Sequence, residues 1–138
     1  MSKRVLLTGG AGFIGHHLIE EILKNTDYDV VSLDRLDTSG NLNRIVDVLE
    51  KNPQWRSRVS VVWHDLKAPI NDMVANKIGK INYVLHLAAG SHVDRSIEYP
   101  MEFVLDNVVG TANILDFARI NLKESLEMFL CFSTDEVF

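Results

Sequence analysis

The chain has 138 residues, 46% of them hydrophobic and 24% charged, with a formal net charge of -5. That is one domain's worth of globular protein, with no basic stripe for nucleic acid. No apolar run approaches the roughly 18 residues of a membrane span, and residues 1–15 lack the order of a signal peptide, so a cytoplasmic chain with neither nucleic-acid nor membrane partner is expected.

Val5-Leu6-Leu7-Thr8 is an apolar, β-prone run leading into Gly9-Gly10-Ala11-Gly12-Phe13-Ile14-Gly15. Gly9, Gly12 and Gly15 are spaced by two residues, and Gly10 to Gly15 also spells G-x-G-x-x-G. Such a turn brings backbone close to a pyrophosphate and lays a helix against a strand. The phosphates would sit at the helix N-terminus, where unpaired N–H groups and the helix dipole favour an anion. From Phe13 to Asn25, Ile14, Leu18 and Ile22 recur every fourth residue, with Gly15 and Ile19 beside them, predicting a helix with that side on a sheet. His16 and His17 are adjacent and cannot share a face as metal ligands at i, i+4 would; they are expected at the solvent side, and no metal site is expected.

Asp29-Val30-Val31-Ser32-Leu33-Asp34 predicts a second strand ending in an acid about 20 residues past the glycines, the spacing of a carboxylate that holds an adenosine ribose. Asp34 would accept hydrogen bonds from the ribose hydroxyls and repel a 2′-phosphate, which favours NAD over NADP. An ordinary polar strand end is the competing reading, and Arg35 is a complication, since a guanidinium there can meet a 2′-phosphate. After a polar connection, Leu42, Ile45, Val46 and Leu49 predict an amphipathic helix that closes at Asn52-Pro53. Val59 to Trp63 predicts a third strand running into His64-Asp65-Leu66. Asp65 is placed either to bond the adenine amine, with Leu66 on the ring, or to cap the next helix. Pro69 to Ile78 reads as a short helix or helical turn.

Tyr83 to Leu87 predicts a fourth strand, opening into Ala88-Ala89-Gly90-Ser91, small residues that leave room for a flat ligand. A long helix is expected from Pro100 to Asn121, with Pro100 as its first residue. Met128 to Phe132 predicts a fifth strand carrying Cys131, expected to be a buried, inert thiol. Strands alternating with helices predict an α/β fold, a Rossmann-like doubly wound parallel sheet in the order 3-2-1-4-5. With β-prone, uncharged Met128 to Phe132 at its edge, a homo-oligomer or a complementing chain is expected.

Together these pieces resemble the extended short-chain dehydrogenase/reductase family, and within it the nucleotide-sugar 4,6-dehydratases, most closely those acting on dTDP-glucose. The segments that carry the resemblance are Thr8 to Gly15, Leu33 to Leu36, His64 to Leu66, His86 to Ser96, Asn107 to Thr111 and Phe132 to Phe138. The resemblance assigns Gly9, Gly12, Phe13, Ile14, Gly15, Asp34, Arg35, Leu36, Asp37, Asp65, Leu66, Leu87, Ala88, Ala89 and Ser91 to an NAD cofactor. It puts Ser91 and Thr134 beside a nucleotide-sugar substrate, with Asp135 as the acid for the departing C6 hydroxyl and Glu136 as the base at C5. Neighbouring carboxyls repel when both are ionised, so one stays protonated as acid while the other serves as base.

Three positions depart from the family's usual pattern: Gly90 where it has Glu, Asp106 where it has Thr, and Phe138 where it has Tyr. The family's Tyr-x-x-x-Lys base finds no match, since none of Tyr28, Tyr83 and Tyr99 is followed by Lys four residues on. The expectation is therefore an incomplete NAD-binding domain over residues 1–138, the cofactor half of a 4,6-dehydratase truncated after the fifth strand, without a substrate domain and inactive alone. The alternatives are a non-catalytic module that binds NAD or a partner, and part of a nucleotide-sugar 4-epimerase.

Overall fold

The structure is a computed structural model and describes residues 1–135. Five parallel strands form one sheet: β1 (Arg4–Thr8), β2 (Asp29–Asp34), β3 (Val59–Trp63), β4 (Tyr83–His86) and β5 (Met128–Cys131). Their order is β3-β2-β1-β4-β5, the order the alternating pattern predicts. The crossovers carry α1 (Phe13–Asn25), α2 (Leu42–Lys51), α3 (Asp72–Ile78), α4 (Val93–Glu98), α5 (Pro100–Val104) and α6 (Gly110–Asn121). Alternate residues of β1 and β2 face opposite layers, so each strand feeds two cores. Leu7 and Val30 pack under α1 and α2 with Ile19, Leu23 and Ile45. Leu6, Val31, Leu33 and Val84 pack under α3 and α6 with Ile78, Ile114 and Phe117. Among the described residues no helix is long and apolar enough to cross a membrane.

In two helices the fully buried line lies beside the stripe the periodicity marks, whose Leu18, Ile22 and Leu49 are only partly buried against the core. In α1 the buried line is Gly15, Ile19 and Leu23, and Ile14 is 66% exposed. In α2 it is Ile45 and Val48, with Leu42 and Val46 exposed. The reason in α1 is Gly15: having no side chain, it lets the helix close on the turn, and that contact fixes the rotation about the axis. The structure also adds α4, which the sequence pattern does not announce, and breaks the long helix with a π-helical turn at Leu105–Val109. One inserted residue rotates the upstream segment of a helix by about 100° relative to the downstream one. Gly110, Ile114 and Phe117 therefore face the sheet while the residues before them address the loops above it. Cys131, expected to be buried, is exposed. It lies on edge strand β5, where Met128 and Leu130 are exposed as well and only Phe129 packs against the core.

The turn between β1 and α1 rests on two glycines. Gly9 has φ +74°, a conformation side chains rarely adopt, and a Cβ on Gly15 would run into the carbonyl oxygen of Gly9. A Gly15→Ala substitution should therefore push α1 off the turn and destabilise the fold by about 2–3 kcal/mol, the usual scale for overpacking a tight contact. Urea unfolding of the two proteins measures this, and a loss below about 0.5 kcal/mol would show that α1 can slide without cost.

Candidate functional site

The C-terminal ends of the parallel strands form the edge at which such sheets bind ligands. At its centre Gly12, in an extended conformation, begins α1 with no side chain capping it. The first N–H groups of any helix lack intrahelical acceptors. Phe13 and Ile14, the first two residues of α1, are both well exposed. An uncapped N-terminus over a turn with no side chain to fill it is a cradle for a phosphate, so the residues present fit a pyrophosphate.

Asp34, at the end of β2, is 9% exposed. Its carboxylate turns back on the glycine turn, accepting from Ala11 N–H at 3.2 Å and from Leu36 N–H at 2.8 Å. One lone pair on each oxygen remains for a ribose hydroxyl. Leu36 has φ +55°, and its N–H bond to Asp34 holds this left-handed turn. The connection to α2 is tied to the same place: Asn41 N–H and Arg44 Nη1 both donate to Ala11 O, at 3.0 and 3.1 Å.

Arg35 is not a free cation. Its Nη1 and Nη2 donate to the two carboxylate oxygens of Asp106, at 2.6 and 3.1 Å, and its Nε pairs with Asp37. The hydrogen bonds to Asp106 and the charges of both acids strengthen its proton binding still further. Partial burial pushes the Asp37 carboxyl up, but the Ser39 N–H and hydroxyl, with Arg35, overcome this and hold it below the usual range. The backbone carbonyl of Arg35 accepts from Trp63 Nε1 at 2.9 Å.

At the end of β3, Asp65 accepts from Lys67 N–H at 3.0 Å and lies 3.5 Å from Lys67 Nζ, so it caps its own turn. The next helix, α3, is capped by Asn71 instead. Leu66 packs against the core under α6, and its carbonyl accepts from Asn113 Nδ2 at 2.7 Å. Beyond β4, Leu87 and Ala88 are half-buried and Ala89 and Ser91 are exposed. Asn107 grips the Gly90 peptide: Gly90 N–H donates to Oδ1 at 2.7 Å and Nδ2 donates to Gly90 O at 3.1 Å. Thr134 and Asp135 are exposed just past β5, at the same edge of the sheet. Glu136 lies outside the described residues.

Beneath this edge runs a buried polar chain that sequence reading missed. Thr8 Oγ1 accepts from the N–H groups of Leu87 and Ala88, each at 3.1 Å, so its own proton points to His86 Nδ1, 2.7 Å away. The remaining proton of the neutral ring is then on Nε2, which donates to Thr111 Oγ1 at 3.0 Å. His86 is 3% exposed, and burial holds its pKa below the usual histidine value. The only hint in the sequence is that Thr8, His86 and Thr111 each fall inside a segment that carries the resemblance. Among the described residues no group of three or more His, Cys, Asp or Glu is placed to hold a metal ion.

A family model described as GDP-mannose 4,6 dehydratase matches residues 6–138. The chain belongs to this family. Within the GDP-mannose 4,6 dehydratase family it is 37% identical, over 142 aligned residues, to the dTDP-glucose 4,6-dehydratase of Neisseria gonorrhoeae. That alignment covers 99% of this chain and 40% of the relative, so the chain spans about two fifths of the relative's length. The crystal structure of a dTDP-glucose 4,6-dehydratase from Streptomyces venezuelae, solved with NAD bound, is 33% identical with TM-score 0.71, covering 83% of this chain and 35% of that one. The UDP-glucose 4-epimerase of Bifidobacterium longum, in complex with NAD+ and UDP, is 25% identical with TM-score 0.81, covering 98% and 38%. Dehydratases and epimerases thus share this sheet.

His86 makes the fold sensitive to mild acid. With its folded pKa below the unfolded value of about 6.5, the unfolded chain binds the proton first, so stability falls as pH drops through that value and the loss ends below the folded pKa. The slope should approach 1.4 kcal/mol per pH unit at most, to order of magnitude. Asp37 and Glu127, both held below the usual carboxylate range, lose their contributions only at lower pH, below about 4.5. Urea midpoints at about pH 7.5 and 5.5 should differ for the parent and much less for His86→Gln. An equal difference in both would exonerate His86.

Proposed function

We propose that residues 1–138 form the NAD-binding domain of a nucleotide-sugar 4,6-dehydratase that works in the cytoplasm and converts dTDP-glucose to its 4-keto-6-deoxy product. The observation that carries this reading is the uncapped N-terminus of α1 over the Gly9–Gly15 turn, flanked by the Asp34 carboxylate. It is supported by the NAD in the solved dehydratase relative. Gly9, Gly12, Phe13, Ile14 and Gly15 would receive the pyrophosphate, and Asp34, with the turn through Arg35, Leu36 and Asp37, the adenosine ribose. Asp65 and Leu66 would flank the adenine, and Leu87, Ala88, Ala89 and Ser91 the nicotinamide side.

NAD would accept the sugar's C4 hydride and return it at C6, while the C4 hydroxyl proton would pass to a base that residues 1–138, with no Tyr-x-x-x-Lys match, do not supply. The chain's own part is to orient the sugar with Ser91 and Thr134, protonate the departing C6 hydroxyl from Asp135 and take the C5 proton on Glu136. The adjacent Asp and Glu favour this reading over a 4-epimerase, whose chemistry expels no hydroxyl and needs no acid for it.

A second copy of this chain is the partner proposed. Met128, Leu130 and Phe132 are exposed on and just beyond β5, and Met101, Val104, Val108 and Leu115 are exposed on the long helix. An edge strand that presents apolar side chains is a template for pairing with another chain.

Titration calorimetry with both dinucleotides tests the cofactor assignment. NAD should bind and NADP should bind at least about tenfold more weakly, the size of one unfavourable charge contact. No NAD binding, or a preference for NADP, would overturn it. Sedimentation across a concentration series should show self-association that Leu130→Lys weakens. A monomer at high concentration, indifferent to the substitution, would remove the oligomer.

A further inference from the structure

Gly90 and Asp106 meet in space at the sheet edge that carries Asp34. A Cβ placed on Gly90 would lie 2.9 Å from the Phe103 ring and 3.5 Å from Asp106 Oδ2. A side chain there would crowd the ring, and an acidic one would also press its charge on Asp106. With glycine at 90 the Asp106 carboxylate is left to point across the edge of the sheet, where it takes both terminal nitrogens of Arg35. The π-helical turn at Leu105–Val109 carries Asp106, and the Asn107 grip on Gly90 holds the loop against it.

We propose that Asp106 fixes the cofactor preference of this chain, holding Arg35 in a two-pronged ion pair so that the guanidinium cannot meet a 2′-phosphate on the adenosine ribose. The proposal rests on the NAD-binding reading above and adds a specificity-determining residue to it. Arg35 directly follows Asp34, the acid facing the ribose, and an arginine so placed is what accommodates the extra phosphate of NADP in related folds. Left free, Arg35 would offset the repulsion from Asp34. Here one guanidinium is set against Asp37 and Asp106, and with Asp34 added the group carries two more negative charges than positive. The side chain of Asp106 is only 14% exposed, so water screens this pairing poorly. A dinucleotide with bare 2′ and 3′ hydroxyls tolerates that field, and one carrying a 2′-phosphate does not. Asp106 acts through Arg35 and so is a positioning residue.

The test is a double-mutant cycle read by calorimetric titration of NAD and NADP into the parent, Asp106→Ala, Arg35→Gln and the double variant. Asp106→Asn serves as an isosteric second variant should the alanine form fold poorly, and a far-UV circular dichroism spectrum and urea midpoint close to the parent's show that each variant is folded. Releasing Arg35 should narrow the NAD-to-NADP preference by about tenfold or more, the worth of one charge-assisted contact, and the gain should vanish in the double variant. The NADP gained should weaken with salt more steeply than NAD binding does. An unchanged ratio in Asp106→Ala and Asp106→Asn, with NAD still bound, would overturn this proposal and leave the NAD reading standing. The same narrowing in the double variant would show that Asp106 acts by its charge alone, which overturns the role given to Arg35. Failure of the parent to bind NAD would instead remove the reading beneath both.

Discussion

The close approach of α1 to the β1 turn is the contact on which the site depends. Because Gly15 presents no Cβ to the Gly9 carbonyl, the helix starts directly above the strand end and its uncapped N–H groups open onto the sheet edge. The same seat sets the rotation of α1, which brings Ile19 and Leu23 inward over Leu7 and Val30. Ala11, inside the turn, then becomes the anchor for its surroundings. Its N–H meets Asp34, and its carbonyl receives Asn41 and Arg44. One tight van der Waals contact thus positions the strand end, the Asp34 carboxylate and the connection to α2 together.

On the opposite layer the long helix plays a comparable part by side chains. Asp106 reaches the end of β2, Asn107 the loop after β4, Thr111 the buried histidine at the end of β4, and Asn113 the end of β3. All four lie within two turns around the π-helical insertion. That insertion permits the division of labour, since a regular helix could not turn its Phe103–Asn107 segment to the loops while keeping Gly110, Ile114 and Phe117 on the sheet. π-helical turns are commonly kept where a site needs such an offset.

Much of the architecture was legible in the sequence, for a physical reason: five apolar β-prone runs separated by helical patterns leave few ways to build a parallel sheet with right-handed crossovers. The strand order and the cofactor edge come from that. The features that escaped were set by contacts between distant residues. Periodicity marked α1 and α2 as amphipathic, with Gly15 and Ile19 on the sheet side of α1, but not that Ile14, Leu42 and Val46 stay exposed. Arg35 and Asp106 are 71 residues apart, and only the fold makes them neighbours. Gly90 and Asp106 each stood out singly as departures, yet their contact depends on a π-helical turn that no residue pattern marks. Cys131 sits in an apolar run that reads as interior, but β5 is an edge strand whose outer residues the described chain does not cover.

The strand order also shapes how the chain reaches this fold. β1 lies at the centre of the sheet, and its two neighbours arrive at very different times: Val5 pairs with Val30 on one side and with Tyr83 on the other. The first pairing closes a short loop containing α1, while the second must wait for more than twice as much chain, and closing that longer loop is slower and entropically dearer. During synthesis, then, β1-α1-β2-α2-β3 can assemble as a unit with its glycine turn and Asp34 already in register. The open side of β1 stays unpaired until β4 emerges, leaving a central strand temporarily as an edge. Lys3 and Arg4 stand at the entry to that side, where Lys3 later bonds Tyr83 and Glu127 and Arg4 bonds Lys80 O. Before those partners exist, their charges would guard the strand against pairing with another nascent copy.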